Sequence, residues 1–216
     1  MCEKKIRQGL IAMNIQLHDQ KINHLMMYLK EFYKWNKAYN LSSIRNPIDI
    51  IERHLFDSLI LLPFLEKKML KKNKHRIIDV GSGGGLPGIP LSIVCPDIDF
   101  VLLDSNGKKT RFLFQVKTSL NLQNVTITKN RVEQYQPKRK FIIILSRAFA
   151  NVHDMVVGTH HLLEEENGRF WAMKGIYPEN ELRDCKKLAI VESCYSLAVP
   201  YLEGERHLLI LKPLYE

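Results

Sequence analysis

The sequence predicts an α/β fold: a mostly parallel sheet with helices on both faces, a C-terminal antiparallel hairpin and a helical N-terminal extension. Three observations predict it. Short apolar runs near residues 75–80, 100–104, 125–128, 141–145 and 169–173 alternate with stretches of helical periodicity, as in successive strand–helix–strand units with right-handed crossovers. The first run, with Ile77, Ile78 and Val80, stops at Gly81, and five of the eight residues from Gly81 to Gly88 are glycine. The last two runs, near 191–198 and 207–211, are separated by Pro200 and Gly204 and so read as a hairpin.

The elements follow in order. Lys4 to Asn14 reads as a short helix with Ile6, Leu10 and Met13 on one face. Asp19 is the expected N-cap of a second helix, whose apolar positions are Ile22, Leu25, Met26, Leu29, Phe32 and Tyr33 and which ends within Trp35 to Leu41. Asn46-Pro47 is the N-cap and first residue of a third, with Ile48, Ile51, Leu55 and Leu59 as its stripe. On another face of that helix His54, Asp57 and Ser58 stand at i, i+3 and i+4, a spacing that predicts a surface His–Asp contact. The basic run Lys67, Lys68, Lys71, Lys72, Lys74 and Arg76 reads as a solvated connector. It places the boundary between a helical extension, 1–72, and an α/β core, 73–216. Within the core, helices are expected at about 88–95, 107–120, 152–163 and 178–188. The five-residue apolar run 141–145 predicts a central strand.

Composition narrows the function. With 45% apolar and 25% charged residues, the chain is of the globular class. No run reaches the ~18 apolar residues of a membrane span. No apolar signal core follows Met-Cys-Glu-Lys-Lys, so a cytoplasmic protein is expected. The four cysteines are scattered without a C-x-x-C pair, which reads as reduced thiols rather than a metal site. The net charge of +9 favours a polyanionic partner without proving one.

A strand, a glycine turn and a helix start make a site for an adenosine cofactor. Asp104, closing the next strand, is placed to accept the ribose hydroxyls of a dinucleotide or of S-adenosylmethionine. Gly83, Gly85 and Gly88 formally satisfy G-x-G-x-x-G. A dinucleotide fingerprint starting at the first residue after the strand, Gly81, requires glycine at position 86, which is Leu86. The terminal hairpin is also more usual in methyltransferases. A nicotinamide-dependent oxidoreductase and a non-catalytic RNA-binding assembly factor remain the alternatives.

Further motifs carry a resemblance over nearly the whole chain. They are Trp35-Asn36, Asn40-Leu41, Arg45, the block His54 to Leu59, the block Asp79 to Pro90, Leu103-Asp104-Ser105, Lys108-Lys109 with Arg111-Phe112-Leu113, Arg131-Val132-Glu133, Ser146-Arg147-Ala148 and Lys174-Gly175. Together they resemble the bacterial 16S rRNA guanine-N7 methyltransferase G family, also called glucose-inhibited division protein B. The resemblance implies a class I methyltransferase fold, S-adenosylmethionine as cofactor, and methyl transfer to N7 of one guanine in 16S rRNA or the 30S subunit; a monomer is expected. It implies cofactor contacts at Gly81, Leu86, Val132, Glu133 and Arg147, beside Gly83 and Asp104 from the glycine turn and the strand end, with Val132 on the adenine and Glu133 or nearby backbone at its amine. Arg147 would hold the cofactor carboxylate or bond guanine O6. N7 carries a lone pair and no proton, so no general base is expected, and His54, His153, His160 and His161 read as structural or RNA-facing. Arg45, Lys108, Lys109 and Arg111, with Lys138, Arg139 and Lys140, are the expected basic rim for RNA.

Overall fold

The computed structural model describes residues 2–68, 75–147, 149 and 151–214. The expected boundary at 72/73 and half of the basic run, Lys71, Lys72 and Lys74, lie outside them. The N-terminal region contains α1 (Cys2–Ala12), α2 (Asp19–Tyr39), α3 (Pro47–Ile50), a π-helical stretch (Ile51–Phe56), α4 (Asp57–Leu59) and α5 (Leu62–Lys68). Asn46 caps α3 as expected, its side chain accepting from the Ile48 and Asp49 amides. Asp19 instead is the first residue of α2, preceded by His18.

The core continues with β1 (Arg76–Val80), α6 (Gly88–Val94), β2 (Asp99–Asp104), α7 (Gly107–Ser119), β3 (Val125–Lys129), β4 (Ile143–Ser146), α8 (Val152–Thr159), β5 (Arg169–Lys174), α9 (Glu179–Cys185), β6 (Ala189–Ser196) and β7 (His207–Pro213). The sheet order is β3-β2-β1-β4-β5-β7-β6. The first five strands are parallel, and β7 runs antiparallel to both neighbours. β4 is the middle strand, as its apolar run predicts, but it starts at Ile143. Phe141 makes only an isolated bridge to Leu163, and the Ile142 amide bonds the Arg76 carbonyl. The helix from Val152 ends at Thr159 and is followed by a 3-10 turn, His160–Leu162.

Alternation along the strands divides the core between the two faces of the sheet. Ile77, Phe100, Leu102, Ile143, Leu145 and Trp171 pack with α6, α7 and the N-terminal helices in one cluster. Ile78, Val80, Val101, Ile144 and Phe170 face α8 and α9 in another. The extension is thus one layer of the sandwich, built on the same cluster as the sheet. No described helix is long and apolar enough to cross a membrane.

Candidate cofactor and substrate site

The turn after β1 is built by backbone conformation. Gly81, Gly83 and Gly85 have φ of 70°, 57° and 81°, a region strained for residues with a Cβ. The Gly81 and Ser82 amides bond the Leu103 carbonyl, which ties the turn to β2. The Gly88 amide, at the start of α6, donates to Asp79 Oδ2 at 2.9 Å. A Cβ there would stand 2.2 Å from Leu102 Cδ2, so helix and strand close on each other only with glycine. Above Gly83 the protein leaves room: a Cβ would meet only the Gly81 carbonyl at 3.8 Å and Lys109 Nζ at 3.9 Å.

The extension reaches this turn directly. Tyr28 of α2 donates its hydroxyl to the Gly84 carbonyl at 2.7 Å, and burial pushes the phenol pKa well above its ordinary value, so the group remains a donor. Phe32, one turn later, lies so close to Gly84 that a Cβ there would be 2.4 Å from its ring. Phe32 is itself packed edge-on against Tyr28, Phe112 and His54.

A cavity of about 220 Å³ opens at the C-terminal ends of β1, β2 and β3. Its lining brings together four of the expected cofactor residues, Gly81, Asp104, Val132 and Glu133. Asp104 is 7% exposed; its Oδ2 accepts the Gly83 amide at 2.9 Å and its Oδ1 the Asn106 amide at 2.8 Å. It therefore clamps the glycine turn to the loop before α7, and each oxygen keeps a second lone pair for a ligand hydroxyl. Val132 and Glu133 lie on a single 3-10 turn, Val132–Gln134. Phe149 also lines the cavity, which the sequence reading did not anticipate. The signal was an aromatic residue three positions past the end of β4. Two expected residues lie elsewhere. Leu86 is buried in the cluster shared with the N-terminal helices. Arg147 lines a second cavity, of about 470 Å³, at the ends of β4 and β5.

Beneath the turn, Asp79 is 1% exposed. Burial raises its pKa to about 7, against the opposing pull of the Gly88 amide and the Arg147 guanidinium. His54 is also buried, at 9% exposure, and sits 2.7 Å from Ser42 Oγ through Nε2 and 3.0 Å from the Arg53 carbonyl through Nδ1. Burial and Arg147 lower its pKa to about 4, which makes it a neutral structural ring. This corrects the expected surface His–Asp contact. Both residues are buried, His54 on the π-helical stretch and Asp57 at the start of α4, and Asp57 pairs with Arg147 at 2.9 Å instead.

The expected basic rim divides. Lys108 and Arg111 are exposed at the start of α7, whose N-cap is Asn106. Lys109 leans back over Gly83, so it lies against the turn rather than on the expected rim. The Arg45 guanidinium bonds the Asn36 carbonyl and the Asn40 side chain, fastening the end of α2. Lys138, Arg139 and Lys140 precede β4, at the end of the parallel strands opposite both cavities, and Lys140 pairs with Glu165 at 3.2 Å.

Known proteins agree with this architecture. The GidB family, described as rRNA small subunit methyltransferase G, matches residues 21–209. A protein of Salmonella arizonae named ribosomal RNA small subunit methyltransferase G is 48% identical over 208 residues, covering 96% of this chain and 97% of its own. The protein of the same name from Yersinia enterocolitica is 47% identical over 209 residues, covering 97% and 98%. In fold, the chain is similar to a SAM-dependent methyltransferase from Thiobacillus denitrificans solved with S-adenosyl-L-homocysteine. The TM-score is 0.52 at 12% identity, over 71% of this chain and 90% of that one. With the glycine turn, the Asp104 clamp and the parallel sheet in place, the chain belongs to the rRNA small subunit methyltransferase G family.

Proposed function

We propose that the chain methylates N7 of one guanine in 16S rRNA, as a cytoplasmic monomer using S-adenosylmethionine. The observation that carries the proposal is the open space over Gly83, joined through Asp104 to the cavity that Val132 and Glu133 line. When bound, S-adenosylmethionine supplies a methyl carbon on a positively charged sulfur, which a ring nitrogen lone pair attacks without a base. Asp104 accepts the ribose hydroxyls, Val132 and Phe149 cover the adenine, and Glu133 or adjacent backbone receives its amine. Leu86 supports the turn from within the core. Arg147 serves the acceptor side, where its bond to Asp57 holds it. Residues 1–72 act as the extension that closes one face of the 73–216 core. The protein's contribution to rate is alignment of donor and acceptor and a charged surround for the moving positive charge.

The direct test is incubation with labelled methyl donor and either 30S subunits or naked 16S rRNA. Label at N7 of a single guanine is expected. No incorporation into either, with S-adenosylhomocysteine shown bound by calorimetry, would favour a non-catalytic RNA-binding role. Tight NAD binding without S-adenosylhomocysteine binding would favour a nicotinamide enzyme.

Lys108 and Arg111 are proposed to meet rRNA phosphates, because the loop after a parallel strand faces the ligand side of the sheet. Changing both to alanine should lower RNA affinity and flatten its salt dependence by roughly one counterion for each phosphate no longer neutralised. S-adenosylhomocysteine affinity should stay unchanged. RNA binding measured at several salt concentrations checks this, and parallel lines with equal intercepts would place the RNA elsewhere. Lys109 is left intact because it lies against the turn.

A further inference from the structure

At the β1/β4 junction the Ser146 hydroxyl donates to the Val80 carbonyl at 2.9 Å; Val80 lines the first cavity, and Arg147, next to Ser146 in the chain, lines the second. Asp104 and Val132 would hold the adenosine end of a cofactor over β2 and β3, which leaves that junction to the transferred group. The cavity beyond it is then on the acceptor's side. Its lining is cationic, with Arg53, Arg147, Lys174 and Arg206, and among the lining residues the carboxylate is Asp57. Asp57 is 3% exposed. Its Oδ2 accepts from Arg147 Nη1 at 2.9 Å, whereas its Oδ1 is buried and accepts no hydrogen bond from the described residues. Arg206 Nε stands 3.3 Å from that oxygen, near enough for charge attraction but not aligned to donate. A buried carboxylate oxygen without a donor is costly unless a ligand supplies one.

Resting on the guanine reading above, we propose that Asp57 reads the Watson–Crick edge of the target guanine, accepting from N1–H and the N2 amine while Arg147 donates to O6. Among the bases only guanine sets two adjacent N–H donors beside a carbonyl on that edge. Adenine and cytosine present a ring-nitrogen acceptor there, which a carboxylate repels. Uracil flanks a single N–H with two carbonyls. Recognition from this edge leaves N7, which lies on the neighbouring Hoogsteen edge, free to react, whereas an arginine on O6 and N7 together would block it. The base displaces Arg206, whose contact with Oδ1 is not a hydrogen bond, and Arg206 then faces the phosphates.

The arrangement also acts on the rate. In the transfer the N7 lone pair forms the new N–C bond as the S–C bond breaks, its electron pair stays on sulfur, and no proton moves. One positive charge passes from sulfur to the purine, where it strengthens N1–H as a donor. The bond from N1–H to Asp57 therefore tightens as the reaction proceeds, which is stabilisation of the transition state more than of the bound base.

The experiment pairs protein and base changes. 16S rRNA carrying inosine, which lacks the N2 amine, in place of the target guanine is assembled into 30S subunits. Binding without cofactor and single-turnover methyl transfer are then measured for wild type and Asp57→Asn. Wild type should bind and methylate the inosine substrate about tenfold less well, the effect of one hydrogen bond to a charged group. Asp57→Asn should methylate guanine roughly a hundredfold more slowly and discriminate much less between the two bases, with S-adenosylhomocysteine affinity unchanged. A residue that only positioned Arg147 would leave the inosine discrimination intact in the variant, and that result overturns the proposal. Equal treatment of guanine and inosine by wild type overturns it without recourse to any variant, so a misfolded Asp57→Asn does not shelter it. If wild type methylates guanine-containing subunits normally while failing the inosine test, the function stands and only the role of Asp57 falls. No methylation of the guanine substrate by cofactor-bound wild type removes both.

Discussion

Gly83→Val is expected to abolish S-adenosylhomocysteine binding, by at least roughly a hundredfold or about 3 kcal/mol, in a protein that still folds. The protein around Gly83 accommodates a Cβ, whose nearest neighbours are 3.8 Å and 3.9 Å away. What it does not accommodate is the conformation. A β-branched residue at φ 57° is strained by about 1–2 kcal/mol, and it either keeps that strain or pulls the turn away from Asp104. In the first case two methyl groups fill the space over the turn, and in the second the clamp opens. Gly88 would be a poorer probe, because a Cβ 2.2 Å from Leu102 Cδ2 disturbs the core itself. Calorimetry of ligand binding, with thermal melting to show that the variant is folded, checks the prediction. Unchanged affinity in a folded variant would move the cofactor site away from this turn.

Asp79→Asn is expected to gain stability over wild type as pH rises from about 4 to above 7. In the folded protein the Asp79 carboxyl has its pKa raised from 3.8 to about 7, chiefly by burial. Between those two values the folded chain holds a proton that the unfolded chain has lost, so unfolding is increasingly favoured with increasing pH. The stabilisation from the protonated form is complete below 3.8 and gone above 7. Asparagine has the same shape and no titration, and its side-chain carbonyl still accepts from the Gly88 amide. The difference in unfolding free energy should therefore slope in favour of asparagine across this window, by up to about 4 kcal/mol. The slope is diagnostic and the intercept is not, since the amide introduces a donor of its own. Denaturant unfolding of both proteins at about pH 4, 5.5, 7 and 8 supplies the measurement, and a flat difference would show that Asp79 does not titrate abnormally.

The middle of the sheet was legible because β1, β2, β4 and β5 are buried on both faces and punctuated by glycine, proline and caps. Ile77, Ile78 and Val80 before Gly81, and Asn46 before Pro47, are local signals, and the structure follows them. Asp104 was legible for the same reason, as the acidic end of the strand beside the turn. The pair Asp57–Arg147 was not, because its members are 90 residues apart and meet only through tertiary packing. The helical spacing around His54 suggested a partner one turn away, but the π-helical backbone and burial assigned the ring to Ser42. Lys138, Arg139 and Lys140 show the opposite failure. A cluster of charges in sequence carries no information about which end of a sheet it occupies, and here the direction of β4 decides it. Arg147 and Leu86 were recognised as important by resemblance, yet only the packing shows that one faces the second cavity and the other the core.

The contact between Phe32 and Gly84 bears on how this chain is free to diverge. The two positions share one volume: the ring occupies the place that a side chain at 84 would need. Alanine at 84 is compatible with the fold only if position 32 gives up a comparable volume, since overpacking a core by even one methyl group costs about 1–3 kcal/mol. Substitution at the two sites is therefore coupled, and the order of events matters: shrinking 32 first leaves a tolerable void, whereas enlarging 84 first creates a clash. The dense run of glycines accordingly answers to two separate constraints. Gly83 is held by the backbone shape of the turn, and Gly84 is held by α2.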